Sequence, residues 1–371
     1  MHFSEAEERR LALQRGDLLI CEGGDIGRTA IWNGELTRCY YQNHLHRIRL
    51  KNDRVEPLFI LFWLWYAFEF GKVYFGRGNV TTIPNLSQSK LAELPLPISP
   101  LPEQRNIAAV LSLVQRAIEQ QERLIALTTE VKKALMHKLF TEGLRGEPQK
   151  MTEIGPVPES WDVISFGDVL TVAQYGLSTN GSETGIYGIL RMTNQMNGRI
   201  TANNLQFVNL GDAEFHKFRV ERSDILFNRT NSLELVGRTA IFDIEGDYVF
   251  ASYLIRLRTN ATRLNPYFLN AYFNHGITQV RLKSIATRAV SQSNISATRL
   301  RGFPIPLPQL DEQREIVEIL NEIDKKLAVH FRKRSALNDL FRTLLHQLMT
   351  AKIRVHDLEL EGSADIPIRH R

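Results

Sequence analysis

The feature of this sequence that most limits its possible folds is an ungapped repeat of 55 residues. Leu91 to Arg145 occurs again, 209 residues later, as Leu300 to Arg354, and 15 of the 55 aligned positions are identical. The runs Pro-Leu-Pro and Glu-Gln-Arg of the first copy return as Pro-Ile-Pro and Glu-Gln-Arg in the second. A period of this length indicates two copies of one structural module.

Each copy is predicted to change from extended chain to a long helix. The spaced prolines favour extended backbone, and Glu103 and Glu312 then place negative charge at the positive end of a helix dipole. Apolar residues follow with alternating spacings of four and three, the pattern of a coiled-coil seam. Two such helices of about 40 residues would pair into a rod of roughly 60 Å. The seam residues are Ile107, Leu111, Val114, Ile118, Ile125, Leu135 and Leu139 in the first copy, and Ile316, Leu320, Ile323, Leu327, Leu337, Phe341, Leu344 and Leu348 in the second.

The repeat also extends upstream of the helices, so the module is a globule followed by a helix. Gly27–Ile31 recurs identically as Gly237–Ile241, and the alternating pattern at 45–49, a strand with one basic face, matches 254–258. Pro57 and Pro266 each precede an apolar helical stretch. Short strands with an inserted helix predict an α+β fold.

One part of the second globule has no counterpart in the first. This is the segment 155–209, a stretch of 55 residues. We therefore expect the first globule to be short by about this length: the reading frame starts late, the gene is decayed, or another segment completes the fold. The predicted domains are a partial globule at 1–98, a helix at 99–145, a linker at 146–158, a whole globule at 159–307, a second helix at 308–354 and a tail at 355–371.

Composition excludes several classes of protein. With 371 residues and 43% apolar content, the chain can form two or three hydrophobic cores. Cys21 and Cys39 show no CxxC spacing, which argues against a disulfide framework or a zinc site. The most apolar run, 58–68, has about half the length that a membrane span needs. We expect a cytoplasmic protein with no membrane contact, no metal and no cofactor of its own.

The distribution of charge points to a polyanionic partner. From Tyr248 to Leu310 there is no Asp or Glu, whereas eight Arg and Lys residues fall inside this stretch. A basic surface of this kind attracts nucleic acid, although a solvated basic face without a ligand is the alternative.

Direct reading of bases needs Arg, Asn, Gln, Ser and Thr side chains at base edges, with other cations on phosphates. The main candidates lie in the loops before the two proline runs. They are Arg77, Thr81, Thr82, Asn85, Ser87, Gln88 and Lys90 in the first globule, and Arg288, Ser291, Gln292, Ser293, Asn294 and Arg299 in the second. The unshared segment adds Tyr175, Ser178, Asn180, Arg191 and Asn194. A hairpin turn is predicted before each Gly-Arg-Thr run, at Gly27 and at Gly237, and the second of these hairpins adds Arg229 and Asn231. Asn194 is equally suited to capping a turn.

Together these motifs resemble the specificity (S) subunits of type I restriction-modification systems, and the resemblance covers nearly the whole chain. It is carried by Pro95-Leu96-Pro97 with Pro102-Glu103-Gln104-Arg105, by Pro304-Ile305-Pro306 with Asp311-Glu312-Gln313-Arg314, by the segment from Gly155 to Trp161, and by the alternation of globule and helix.

The resemblance implies a fold and a set of partners. Two target recognition domains, each a small β-rich globule with helices, would be separated by two long helices that form an antiparallel coiled coil with pseudo-twofold symmetry. Each domain would read half of a bipartite site on double-stranded DNA. The helices would bind two methyltransferase (M) subunits, and restriction (R) subunits would join them. S-adenosylmethionine, ATP and Mg²⁺ would belong to those partners.

Catalytic patterns in the chain have simpler interpretations. Asn265-Pro266-Tyr267 is similar to an adenine-holding motif, but its counterpart is Glu56-Pro57-Leu58, so the shared element is a proline at a helix start, with Asn265 as a plausible N-cap. We predict a non-catalytic specificity subunit. The alternatives are a two-headed structural or regulatory DNA-binding protein, or a truncated S subunit that reads one half-site.

Overall fold

The computed structural model describes residues 4–71, 73–74, 85–288 and 292–355. The helices are α1 (Glu5–Leu11), α2 (Pro57–Trp65), α3 (Gln88–Ala92), α4 (Leu101–Thr141), α5 (Asp212–Phe218), α6 (Pro266–Asn274), α7 (Gly276–Ser284), α8 (Ala297–Arg301) and α9 (Leu310–Met349). A π-helical turn, Tyr66–Phe70, continues α2. Short 3₁₀ turns occur at Phe166–Val169 and Met192–Asn194.

The strands are short. They are β1 (Leu18–Cys21), β2 (Thr29–Ile31), β3 (Leu45–Ile48), β4 (Gln149–Thr152), β5 (Gly155–Pro158), β6 (Asp162–Ser165), β7 (Leu170–Tyr175), β8 (Tyr187–Leu190), β9 (Gln195–Met196), β10 (Arg199–Ile200), β11 (Gln206–Val208), β12 (Ile225–Asn228), β13 (Thr230–Asn231), β14 (Thr239–Ile241), β15 (Tyr248–Phe250), β16 (Leu254–Thr259), β17 (Thr287–Arg288), β18 (Ser293–Asn294) and β19 (Pro304–Leu307). The predicted mixture of long helices and short strands is confirmed. The segment predicted as a linker contains the β4–β5 hairpin.

The chain divides into two compact units, and each takes one half of each long helix. The first unit comprises residues 1–126 and 328–371, and the second comprises residues 127–327. In the first unit, the Gln121 Oε1 atom lies 3.0 Å from Nδ1 of His330, its own counterpart in the repeat. In the second unit, Lys132 donates to Asp324 at 2.5 Å. Arg354 also pairs with Glu103 in the first unit, and Arg145 with Glu315 in the second, so within each unit the two helices run antiparallel, as predicted.

The first unit is built on a three-stranded antiparallel sheet with the order β2-β1-β3. Leu18 and Ile20 of β1 point into a core that also contains Leu86 and all but the first two residues of α2. A helix that is apolar on every face is stable in water only when it is covered on every face. Seam residues such as Leu111 and Leu348 complete this core.

The second unit contains a six-stranded sheet, in the order β7-β16-β12-β14-β10-β9, and a three-stranded sheet in the order β11-β8-β15. Strand β12 is buried on both faces. Ile225 and Phe227 point into a core with Trp161 and Phe273, whereas Leu226 points into a second core with Leu190 and Phe250. The hairpins predicted around Gly27 and Gly237 are confirmed as β1–β2 and β12–β14, with φ of +81° and +87° at these glycines.

A repeated ion pair joins the start of one strand to the end of its neighbour in each unit. In the first unit, Arg49 donates to the buried Asp17 at 2.7 and 2.6 Å, and in the second, Arg258 donates to the buried Asp224 at 2.7 and 3.0 Å. The hydrogen bonds to Asp224 raise the pKa of Arg258, although burial opposes this. These arginines belong to the predicted basic strand face, so a large part of that face stabilises the fold.

Arg256, on the same strand, is also used internally. It donates to the carbonyl of Arg219 and to the side chain of Gln174, and burial lowers its pKa.

The glutamine of each Glu-Gln-Arg motif ties the long helix to the apolar helix of its own unit. Gln104 and Gln313 are both 0% exposed. Gln104 accepts from the amide of Glu56 at 2.9 Å and donates to the Ser99 carbonyl at 2.7 Å. Gln313 accepts from the amide of Asn265 at 2.8 Å and donates to the Pro308 carbonyl at 2.8 Å. The motif therefore bonds the same two segments to the long helix in both units: the chain before the helix and the start of the apolar helix.

The two proline runs differ in their surroundings. The second forms β19, which pairs with β6 of the unshared segment. The first forms no strand among the described residues. Consequently, Leu96 is 37% exposed, whereas its counterpart Ile305 is fully buried. Among the described residues, none of the helices is both long and apolar enough to cross a bilayer.

Candidate nucleic-acid interface

In the second unit, a small three-stranded sheet, β13-β18-β17, gathers candidate residues from two distant parts of the sequence. Strand β18 pairs with both neighbours, so Thr230 lies opposite Asn294, and Asn231 and Arg288 both lie opposite Ser293. The Asn294 Nδ2 group donates to Thr230 Oγ1 at 2.7 Å. The hairpin and the loop before the second proline run, which were predicted separately, thus form one surface.

A third candidate joins this surface through an aromatic contact. The guanidinium carbon of Arg229 lies 4.5 Å from the ring centre of Tyr175, which is 40% exposed at the end of β7. The Tyr175 hydroxyl accepts from the backbone amide of Ala297 at 2.9 Å, which fixes the ring. Arg229 donates from Nη1 to the Ser252 carbonyl at 3.3 Å. The stacked pair holds the guanidinium plane in a defined orientation.

The segment around Arg191 lies beside the same sheet. The Nδ2 group of Asn231 lies 3.0 Å from the sulfur of Met192. Arg191 donates from Nη2 to the Asn204 carbonyl at 2.9 Å. Asn194 is fully buried and makes three hydrogen bonds, accepting from the amide of Arg191 at 3.0 Å and donating to the carbonyls of Thr201 and Asn203. In this structure Asn194 therefore stabilises the loop, which is the turn-capping role that its sequence position also allowed.

We call the set Tyr175, Arg191, Arg229, Asn231, Arg288, Ser293 and Asn294 the reading patch. Other predicted residues in this unit have different surroundings. Ser178, Asn180 and Gln292 are exposed, and Arg299 donates from Nη1 to the Ile285 carbonyl at 2.7 Å. Ser291 lies outside the described residues.

Unsatisfied buried polar atoms are concentrated at the reading patch. Within the described part of the chain, six buried side-chain nitrogen or oxygen atoms have no hydrogen-bond partner, and three of them are Arg191 Nε, Arg229 Nε and Asn228 Oδ1. Asn228 is only 3% exposed. Buried polar groups normally find partners, and three of the six exceptions lie in or directly beside the reading patch.

The first unit shows the equivalent position in part. Asn85 is exposed and its carbonyl accepts from the Tyr74 hydroxyl at 3.4 Å, while Ser87 caps α3 by accepting from the amide of Lys90 at 3.3 Å. Ser296 caps α8 in the same way in the second unit. Gln88 and Lys90 are exposed. Arg77, Thr81 and Thr82 lie outside the described residues.

The predicted basic stretch divides into two groups. Arg256, Arg258 and Arg281 are used within the fold, the last by donating to the Tyr272 hydroxyl at 2.8 Å. Arg288 and Arg301 are exposed and available to phosphates. Among the described residues, no group of three or more His, Cys, Asp or Glu side chains could hold a metal ion.

Two residues beside the reading patch, Asn228 and Met192, were missed from the sequence. Asn228 ends β12 and has the counterpart Cys21, so it was indistinguishable from a strand residue. Met192 carries none of the groups expected at a base edge. Both are next in sequence to a candidate arginine, since Asn228 precedes Arg229 and Met192 follows Arg191, and this adjacency is the signal that could have identified them.

Comparisons with known proteins place this geometry in context. The family model "Type I restriction modification DNA specificity domain" matches residues 7–129 and 158–339. A putative type I restriction enzyme MjaX specificity subunit from Methanocaldococcus jannaschii is 32% identical over 210 residues, which cover 56% of this chain and 49% of that protein. The chain thus spans about half the length of this relative. The MjaVIII specificity subunit of the same organism is 23% identical over 96% of this chain and 83% of its own length.

Solved structures agree on the fold. The S subunit of a type I restriction-modification system from M. genitalium has a TM-score of 0.58 at 17% identity, covering 91% of this chain and 84% of that one. A chain from a structure of a type I R-M system has a TM-score of 0.54, also at 17% identity, covering 91% and 82%.

Proposed function

This chain belongs to the type I restriction-modification DNA specificity family, and from that premise we propose that it is the DNA-recognition subunit of a type I restriction-modification complex. In this role it reads a bipartite site on double-stranded DNA and docks methyltransferase and restriction subunits in the cytoplasm. It performs no chemistry itself. The observation that carries the proposal is the reading patch, where three distant segments bring arginines and amides together at one sheet edge.

The chemistry of the patch supports DNA as the ligand. In the major groove, arginine donates to the two acceptors of guanine, and asparagine pairs with the donor and the acceptor of adenine. Arg288, Arg301 and the exposed Lys90 of the first unit supply cations for phosphates, which fix the position of a protein on DNA without reading sequence. Each unit carries its own sheet, capped helix and loop, so each has the parts of one reading head.

The long helices supply the surface for partner subunits. Leu113, Leu124, Leu127 and Val131 of α4 are exposed apolar residues at helical spacing, each between 40% and 57% exposed. Apolar residues at this spacing favour packing against another helix. S-adenosylmethionine, ATP and Mg²⁺ are assigned to the partner subunits, which carry out methylation and cleavage.

The test uses the full chain together with the methyltransferase subunit of a type I restriction-modification system from the same source. The expected result is co-purification of the two proteins and methylation of DNA at one bipartite sequence. A complex that methylates DNA without sequence preference would contradict the proposal. A lone homodimer that binds DNA and retains no methyltransferase would support the structural or regulatory alternative, and a motif with a single half would support a subunit that reads one half-site.

A further inference from the structure

We infer that Arg229, held by Tyr175, reads a guanine in the half-site of the second unit. This inference rests on the proposed function and assigns one base to one side chain. It starts from the geometry of the pair: the guanidinium lies over the ring at 4.5 Å, and the Tyr175 hydroxyl is tied to the amide of Ala297.

The stacking distinguishes base reading from phosphate binding. A phosphate is served equally well by a flexible cation, because its charge attracts from any direction. A guanine presents two acceptors, N7 and O6, side by side in the major groove, and a planar fork of N–H groups matches them only in one orientation. Tyr175 fixes that orientation for Arg229 before any ligand arrives, so the contact is preorganised.

The hydrogen-bond state of Arg229 is consistent with a missing acceptor. Its Nη1 group makes one bond, 3.3 Å long, to the Ser252 carbonyl, and its Nε group is buried without a partner. The adjacent Asn228 Oδ1 is likewise buried and unsatisfied. Both atoms are buried, so a base meets the two Nη groups of Arg229, whose paired N–H donors match the N7 and O6 acceptors of guanine.

Comparison of the two units shows that the fold does not require an arginine at this position. The Arg229 amide donates to the Tyr253 carbonyl at 3.0 Å, and the Arg229 carbonyl accepts from the Ile295 amide at 2.9 Å. In the first unit, Glu22 makes the same two bonds, to His44 at 3.0 Å and from Leu86 at 2.8 Å. The same backbone position thus carries a positive side chain, Arg229, in the second unit and a negative one, Glu22, in the first.

Arginine and glutamate at this position would select different bases. Arginine donates to guanine, whereas a carboxylate accepts from the amino group of cytosine. The side chain at this position is therefore the variable element on an invariant backbone, and it differentiates what the two units read.

The experiment selects binding sites for the full-length chain from a library of randomised duplex DNA, followed by sequencing. The wild-type chain is expected to enrich a motif that contains a guanine whose selection depends on Arg229. Arg229→Ala is expected to lose about tenfold to a hundredfold of the preference for that guanine, with the remaining positions unchanged. Arg229→Lys, which keeps the charge but not the fork, is expected to lose most of the preference as well.

Matched variants separate reading from folding. Arg222→Ala removes an exposed arginine at the other end of β12 and is expected to leave the motif intact. Tyr175→Phe keeps the ring and is expected to retain the guanine, whereas Tyr175→Leu removes the stacking and loses it. Thermal unfolding of every variant checks that the unit remains folded.

Two outcomes separate the failure of this inference from the failure of the proposed function. If Arg229→Ala keeps every guanine and only binds all sequences more weakly, Arg229 is a phosphate contact and this inference is overturned while the proposed function stands. If the wild-type chain and its complex with the methyltransferase subunit both enrich no motif, the proposed function fails, and the inference fails with it.

Discussion

The two units use the same buried glutamate in different ways. In the second unit, Glu312 accepts from two neutral donors, the Trp161 indole at 3.0 Å and the Leu144 amide at 2.9 Å. In the first unit, Glu103 binds Arg354, whose guanidinium is half exposed. One carboxylate joins the unshared segment to the helix, and the other is satisfied by the end of α9. The same glutamate of the repeat therefore lies among buried donors in one unit and beside a half-exposed arginine in the other, so its energetic role depends on which donors reach it.

The largest expected difference between the units comes from removing this glutamate. Glu312→Ala leaves two buried donors without an acceptor, and we expect it to lower the free energy of unfolding by about 4 kcal/mol. Glu103→Ala frees an arginine that water can solvate, with a cost of about 1 kcal/mol. Urea unfolding followed by circular dichroism and by tryptophan fluorescence measures both, because Trp63 and Trp65 lie in the first unit and Trp161 in the second. Equal costs would show that the carboxylates have equivalent roles.

The glutamine that follows is expected to behave alike in both units. Gln104→Ala and Gln313→Ala each remove three hydrogen bonds from a fully buried site, and each is expected to cost about 3 kcal/mol. Thermal unfolding of the two variants, with Gln115→Ala on α4 as a half-buried control, measures the effect. A large cost in only one unit would break the equivalence that the repeat predicts.

Acid is expected to destabilise the second unit selectively. Burial, together with the charge of His137, lowers the pKa of His275 from 6.5 to about 4, and the two rings are stacked with centres 5.9 Å apart. Between these pKa values the unfolded chain binds the proton and the folded chain does not, so stability falls as the pH decreases through this window. At pH 5 we expect a loss of about 2 kcal/mol relative to pH 8.

The first unit carries Tyr66 at the equivalent position, beside His346. His275→Tyr should therefore remove most of the acid sensitivity, whereas substitution of the exposed His216 by alanine should leave it unchanged. The measurement is the denaturation midpoint as a function of pH. An unaltered pH dependence in His275→Tyr would show that another group titrates in this window.

The smallest difference lies at the start of the apolar helices. Asn265 caps α6 by accepting from the amides of Tyr267 and Phe268, whereas Glu56 makes no side-chain cap at the start of α2. We expect Asn265→Ala to cost about 1 kcal/mol and Glu56→Asn to gain about half as much, the latter partly offset by loss of a 3.7 Å ion pair with Arg105. Differential scanning calorimetry can resolve these shifts. A loss of stability in Glu56→Asn would contradict the comparison.

The sequence predicted the parts of the fold that depend on local pattern. The 4,3 spacing gave α4 and α9, the matched Gly-Arg-Thr runs gave two hairpins, and Asn265 is the predicted cap. Partners far apart in sequence were not predictable in the same way. Two glutamines 209 residues apart indicate a shared role, but only the folded chain brings Gln313 to Asn265 and Gln104 to Glu56.

For a similar reason, the sequence identified the residue types of the candidate site but not which of them lie together. Composition identifies arginines but not their partners, so Arg258, bound to Asp224, and Arg229, stacked on Tyr175, were alike in the sequence. The physical difference between them is the partner, a buried carboxylate for Arg258 and a part-exposed aromatic ring for Arg229. That each loop contributes to one patch follows from the pairing of β13, β18 and β17, which no local signal specifies.

The contact between Gln121 and His330 joins the same place in the two copies of the repeat, with the amide oxygen and the imidazole nitrogen 3.0 Å apart. In two identical copies related by a twofold axis, this residue would face an identical side chain, and both would have to make the same bonds. A single chain that carries both copies has no such restriction, so a glutamine can lie opposite a histidine. The repeat is therefore symmetric in its helices and asymmetric in the side chains that join them.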